Sequence, residues 1–200
     1  MFELHGFPMS PNTRRARLML EELGLPYSLV VVDLMKGEQR GEAYRALNPT
    51  GRVPTLVDGD LRLWESNAII LYLADKHPEK KLAGESAEER AEIARWMFMN
   101  ASHLSPNIAR IFAHTIRLPE DQRIPRLVEE ARAEVARSLA PLDAQLTGKD
   151  YLLGRFTVAD VALAPSLSAA PMLGIDLEKT PAVAAWMKRM AERPAWKKTG

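Results

Sequence analysis

The sequence predicts a mixed α/β domain of order βαβαββα followed by an all-α domain, a helical bundle. Short Val- and Leu-rich runs alternate with amphipathic segments over the first 77 residues. Asp58-Gly59-Asp60 is a turn signal between two of those runs. After His77-Pro78 the strand-like runs cease, and only helical periodicity remains. The boundaries that follow are residues 1–77 for the first domain, 78–86 for a short polar linker and 87–200 for the helical domain.

Phe2 to Gly6 reads as a short strand. Ser10-Pro11 is an N-cap residue followed by proline at the first helical position, where a missing N–H costs nothing. Ala16, Leu18, Met19, Leu20 and Leu23 then supply an apolar face, and Gly24 is a fitting C-terminal stop. Tyr27 to Asp33 reads as a buried strand, and Glu38 to Leu47 as a weaker, polar helix. Val53 to Val57 and Leu61 to Leu63 flank the turn as antiparallel strands. Glu65 to Lys76 closes the unit as an amphipathic helix. Beyond the linker, Ala87 to His114 is a long helical run in which Pro106 should produce a kink or a split. Further helices are expected at about Pro125 to Leu146, Val158 to Ala170 and Pro181 to Arg193. Thr157-Val158-Ala159-Asp160 has the form of a capping box with Asp in place of Glu, a structural motif.

Composition removes several classes of function. The formal net charge is +1 and acids are interleaved with bases, so no basic stripe invites nucleic acid or an anionic membrane. No segment approaches the ~20 apolar residues of a membrane-spanning helix. Met1 to His5 lacks the basic start and apolar run of a signal peptide, and the cytoplasm is the expected compartment. The chain has no cysteine, which excludes disulfides, thiolate metal sites and a cysteine nucleophile of its own. Any thiol chemistry must use a thiol brought in from outside. The four His residues show no metal-ligand spacing, and no metal is expected.

Four segments, in this order and spacing, carry a resemblance. They are Leu4-His5-Gly6-Phe7-Pro8-Met9-Ser10-Pro11-Asn12, Asn48-Pro49-Thr50-Gly51-Arg52-Val53-Pro54-Thr55-Leu56, Trp64-Glu65-Ser66-Asn67-Ala68-Ile69 and Phe156-Thr157-Val158-Ala159-Asp160. Through them the chain resembles the glutathione S-transferase superfamily over essentially its whole length, nearest the serine-using theta-, phi- and nu-like bacterial enzymes. The resemblance implies a thioredoxin-like first domain, glutathione as co-substrate and a homodimer. It also implies detoxification-type chemistry, in which the glutathione thiolate attacks an electrophilic small molecule or a peroxide. Two alternatives stay open: a glutathione-dependent disulfide-bond reductase, and a non-catalytic glutathione-binding regulatory protein.

The resemblance assigns roles residue by residue. Ser10 would donate its hydroxyl to the bound thiolate at the positive end of a helix, in competition with its use as an N-cap, and Asn12 is the second candidate for the sulfur. Val53-Pro54 would be a cis peptide that turns the Val53 backbone toward glutathione. Glu65 suits the γ-glutamyl ammonium, and the Ser66 hydroxyl suits its carboxylate. Gln39, Arg40 and Arg52 are candidates for the glycyl carboxylate, while Arg14 faces the same helix end and would pair only with an acid. The electrophile pocket is expected between the domains, lined by Phe7 and Met9 and by His103, Asn107, Arg110 and Ile111.

Overall fold

The computed structural model describes residues 1–200. The chain falls into two compact units, Met1–Ala83 with Arg193–Gly200, and Gly84–Glu192. In the first unit, β1 (Phe2–Gly6), β2 (Tyr27–Val31), β3 (Thr55–Asp58) and β4 (Leu61–Trp64) form one mixed sheet of order β2-β1-β3-β4. β1 runs parallel to β2 with Leu4 opposite Leu29, and antiparallel to β3 with Leu4 opposite Leu56. Leu4 and Leu56 are both fully buried and anchor the sheet in the core. β3 and β4 form the antiparallel hairpin that the Asp58-Gly59-Asp60 turn signal predicts, and Gly59 takes the positive φ such a turn requires.

Helix α1 (Pro11–Leu23) starts and stops where its sequence signals lie. Ser10 is the N-cap, with its side chain accepting from the Thr13 N–H, and Gly24 closes the helix at φ 67°. Its face Ala16, Leu18, Met19 and Leu20 packs with Ile69, Ile70 and Leu73 of α3 (Ser66–Asp75) in the same core. The region read as one polar helix is two pieces: a 3-10 turn at Glu38–Arg40 and α2 (Glu42–Leu47), separated by extended Gly41. The buried strand expected at Tyr27 to Asp33 is an edge strand. Val30 and Val31 are exposed, because strand order and not composition decides which strand has neighbours on both sides.

The second unit is all helix. A continuous helical run contains α4 (Ala87–Met99) and α5 (Ser105–Phe112), with π-helical turns at Asn100–Leu104 and Ala113–Arg117. Pro106 neither breaks nor ends this run. It has no N–H for an α-type bond to the Ser102 carbonyl, and the preceding turn widens so that the Ser105 N–H bonds to the Asn100 carbonyl. α6 (Pro125–Leu146), α7 (Val158–Leu167) and α8 (Pro181–Glu192) complete the unit, α7 stopping three residues short of the expected end. Every residue of α7 is buried. A short α9 (Pro194–Lys198) packs on α1, so the last residues, grouped in the sequence reading with the helical domain, lie in the first unit. No helix is long and apolar enough to cross a membrane.

Candidate functional site

The recess of interest lies in the first unit, about 70 Å³ in volume, lined by Asn12, Asn48, Thr50, Arg52, Val53, Pro54, Glu65 and Ser66. Three chain segments build it: the first turn of α1, the loop leading into β3, and the start of α3.

The loop is held by buried Asn48. Its Nδ2 donates to the Arg52 carbonyl at 2.7 Å, and its Oδ1 accepts from the Thr50 N–H at 3.0 Å and hydroxyl at 2.7 Å. Tyr44 Oη adds a second bond to the Arg52 carbonyl at 2.7 Å and meets Thr55 Oγ1 at 2.9 Å. The Val53-Pro54 peptide is cis, with Pro54 buried and Val53 at the recess. Gly51 sits at φ 62°, where a Cβ would come within 3.0 Å of the Gln39 carbonyl oxygen.

At α1 the Ser10 hydroxyl oxygen accepts from the Thr13 N–H at 3.5 Å, a long bond. Capping uses the lone pair of this oxygen, whereas stabilising an anion uses its hydrogen. The two roles that compete in the sequence reading are therefore chemically compatible. Asn12 is exposed at the recess. Behind it lies Arg15, only 3% exposed, whose Nη1 donates to Asn12 Oδ1 at 2.8 Å and to Ser66 Oγ at 2.7 Å. Burial lowers the Arg15 pKa to about 10, opposed by the nearby Glu65 carboxylate, so the guanidinium stays charged at neutral pH.

Glu65 is the N-cap of α3 with φ 70° and ψ 107°, and its exposed side chain borders the recess. Ser66, the first residue of α3, is buried but for 7%. Of the remaining carboxylate candidates, Arg52 lines the recess, Arg40 is exposed on the 3-10 turn, and Gln39 is half-buried with an Oε1 that lacks a hydrogen-bond partner. Arg14 pairs with no acid. Its guanidinium lies 3.8 Å over the Trp196 ring and donates to the Trp196 carbonyl at 3.2 Å.

Family models for the N-terminal and the C-terminal domain of glutathione S-transferase match residues 4–81 and 104–194. Glutathione S-transferase F10 of Arabidopsis thaliana is 36% identical, the match covering 95% of this chain and 92% of that one. The chain belongs to the glutathione S-transferase family. Glutathione S-transferase GstB of Escherichia coli K12 is 34% identical, with 99% of this transferase chain and 97% of that protein covered. Among solved structures, glutathione transferase URE2P6 of Phanerochaete chrysosporium, in complex with oxidized glutathione, superposes with a TM-score of 0.90 at 34% identity, covering 99% of this chain and 94% of that one.

The residues named for the electrophile have varied settings in the transferase. Met9 is 82% exposed and Phe7 half-buried in the loop before α1. His103 is exposed in the π turn, and its carbonyl accepts from Asn107 Nδ2 at 2.6 Å. Asn107 Oδ1 in turn accepts from Arg110 at 3.3 Å. Ile111 is fully buried, so it is a core residue of its helix and presents no surface to a ligand. The Thr157–Asp160 motif is a complete capping box inside the helical unit. Arg15, Asn48 and Thr50 are the three site residues that sequence reasoning missed. Arg15 had a signal: it stands three and four positions before Leu18 and Met19, on the stripe α1 buries.

Proposed function

We propose that this glutathione transferase holds glutathione along the cis Val53-Pro54 segment and activates its thiol at the N-terminus of α1. The observation that carries this reading is the convergence, at one recess, of Asn12, Val53, Glu65 and Ser66, beside the Ser10 cap. A γ-glutamyl group is a zwitterion, and Glu65 beside Ser66 offers an acid for its ammonium and a donor for its carboxylate. Ser10 and the positive end of α1 favour a thiolate over a thiol, and the released proton passes to solvent. The thiolate sulfur then forms a bond to an electrophilic carbon, expelling a leaving group with its electron pair, or attacks a peroxide oxygen. Attack on the peroxide breaks the O–O bond and releases an alcohol after protonation, and a second glutathione reduces the resulting sulfenic acid to glutathione disulfide and water. Gln39, Arg40 and Arg52 are proposed for the glycyl carboxylate. Phe7 and Met9 are proposed for the electrophile, and within the second unit Asn107 bonds the His103 carbonyl and Arg110.

The deciding experiment follows thiolate absorbance against pH for glutathione bound to wild type and to Ser10→Ala. A depressed thiol pKa in wild type that returns toward its free value in Ser10→Ala is the expected result. Equal depression in both proteins moves the role to Asn12 or the backbone, and no binding by wild type overturns the reading. The structural relative solved with oxidized glutathione favours testing disulfide-bond reduction alongside. Turnover of disulfides with no turnover of electrophiles makes the chain a reductase instead. Binding without any turnover makes it a regulatory protein.

Location in the cytoplasm and a homodimer belong to the same proposal. Exposed Trp64, on the edge strand β4, supplies apolar surface for a second copy. Gel filtration at micromolar concentration checks this, and a mass of one chain would sink the dimer.

A further inference from the structure

We infer that Arg15 is a positioning residue that sets the hydrogen-bond polarity of the site, turning both Asn12 and Ser66 into donors toward an anionic ligand. The inference rests on the glutathione reading above and names a residue that reading does not use.

A guanidinium fixes the polarity of everything it touches. Arginine carries five N–H donors and no acceptor, so every atom in contact with it must accept. Nη1 of Arg15 has two hydrogens and two short contacts, to Asn12 Oδ1 at 2.8 Å and to Ser66 Oγ at 2.7 Å. The contacting atom of Asn12 is therefore its oxygen, and the NH₂ end of the amide points away from Arg15. Ser66 Oγ spends a lone pair on Arg15, so its one hydrogen is left for another partner. Both side chains line the recess, and both face it as donors. Without Arg15 the amide could turn over and present an oxygen, which would repel a thiolate, and the serine could accept as readily as donate.

Burial makes the device rigid. Arg15 is 3% exposed and Ser66 7%, so water does not compete for the contact between them, while the Asn12 end of the device is open to the recess. The bond to Ser66 also joins α1 to α3, the two helices whose first turns flank the recess. The positive charge remains behind the donors, and bound anions feel it through both side chains.

The test separates sulfur from carboxylate. Glutathione reports its thiol pKa by absorbance, while S-methylglutathione has no ionisable thiol and reports the γ-glutamyl contacts through its Kd. In Arg15→Met the thiol pKa of bound glutathione rises by about one unit and S-methylglutathione binds about tenfold more weakly. Arg15→Lys, with the charge but a single donor point, recovers part of each effect. Asn12→Ala raises the thiol pKa in wild type but adds nothing in the Arg15→Met background, because the amide has already lost its orientation. A folded Arg15→Met with unchanged thiol pKa and unchanged Kd overturns the inference, and so do fully additive effects of the two substitutions.

If Arg15→Met does not fold, Asn12→Asp carries the test with Arg15 in place. The carboxylate keeps the contact to Arg15 but turns an acceptor outward, so the thiol pKa rises further than in Asn12→Ala. Equal pKa values in Asn12→Asp and Asn12→Ala would overturn the inference. Failure of wild type to bind S-methylglutathione has a different meaning: the glutathione reading itself then falls.

Discussion

Glu65 is the non-glycine residue whose positive φ lies outside the left-handed helical basin; Lys81, the other such residue, sits inside it. Holding a side chain there costs on the order of 1–3 kcal/mol, and a glycine would avoid it. The strain places a carboxylate beside Ser66 at the start of α3. Glu65→Gly and Glu65→Gln both remove the charge, so charge cancels from their difference, in which relief of the strained φ opposes the extra unfolded-chain entropy of glycine. Urea denaturation should find Glu65→Gly more stable than Glu65→Gln by about 1 kcal/mol, while both bind glutathione more weakly than wild type. A less stable Glu65→Gly would show that the strain does not exceed that entropy. Gly6 meets the opposite constraint. A Cβ there would stand 2.5 Å from Thr13 Cγ2, and Thr13 is fully buried in the first turn of α1. Gly6→Ala should cost about 1–3 kcal/mol and raise the thiol pKa of bound glutathione, because Thr13 can yield only by shifting the turn that carries Ser10. An unchanged thiol pKa would show that the first turn tolerates the shift.

At the scale of elements, α7 shows what a buried helix requires of its cap. Asp160 accepts from the Thr157 N–H at 2.9 Å, the Leu152 N–H at 3.1 Å and the Trp186 indole at 3.0 Å, with no exposed surface. Asp160→Ala strands these donors and should cost about 3–5 kcal/mol by calorimetry. Burial raises the Asp160 pKa to about 6, opposed by those hydrogen bonds. The folded state thus holds the proton more tightly than the unfolded chain. The stability contributed by this group is fully present below about pH 4, and it is lost as pH rises to about 6. Asp160→Asn should remove that slope from a plot of stability against pH, and a slope that survives in Asp160→Asn belongs to other groups. This capping box is legible in the sequence because its partners lie three residues apart. The same holds for Ser10-Pro11, Gly24 and the Asp58-Gly59-Asp60 turn. Features set by distant partners are not legible. β2 has the composition of an inner strand and becomes an edge through strand order. Arg15 stands on the buried stripe of α1, but its partner Ser66 lies 51 residues away, so the pairing itself has no local signal. Pro106 signals a disturbance but not its form: the turn that widens begins at buried Asn100, whose Nδ2 donates to the distant Ala162 carbonyl at 3.0 Å.

For the whole molecule, the path of the chain matters more than any single contact. It leaves the first unit at Ala83, builds the second, and returns with its last eight residues to lie on α1. The return is fastened along the helix. Arg193 grips Glu22 through two bonds of 2.6 and 2.7 Å, Lys198 reaches Glu21 at 3.1 Å, and Arg17 donates to the Lys198 and Thr199 carbonyls at 3.1 and 3.4 Å. Arg14 completes it by stacking on Trp196, itself only 8% exposed. The fork between Arg193 and Glu22 is mostly shielded from water, so it is worth more than an ordinary surface pair. Deletion of residues 193–200 exposes the outer face of α1 while leaving the second unit's own residues intact. Hydrogen exchange should then show faster exchange in α1 and the sheet, with protection in α6 and α7 retained. A protein folded as independent halves would give the same pattern for any lesion in the first unit, so the comparison that decides is Trp196→Ala. Losing this one ring should reproduce a large part of the deletion's effect on α1, because the ring supplies both the cation–π contact and the buried apolar area, together about 3 kcal/mol. If Trp196→Ala leaves α1 as protected as in wild type, the charged contacts dominate the hold on the returning segment, and 1 M salt should then weaken it at the exposed Lys198–Glu21 pair more than at the shielded Arg193–Glu22 fork.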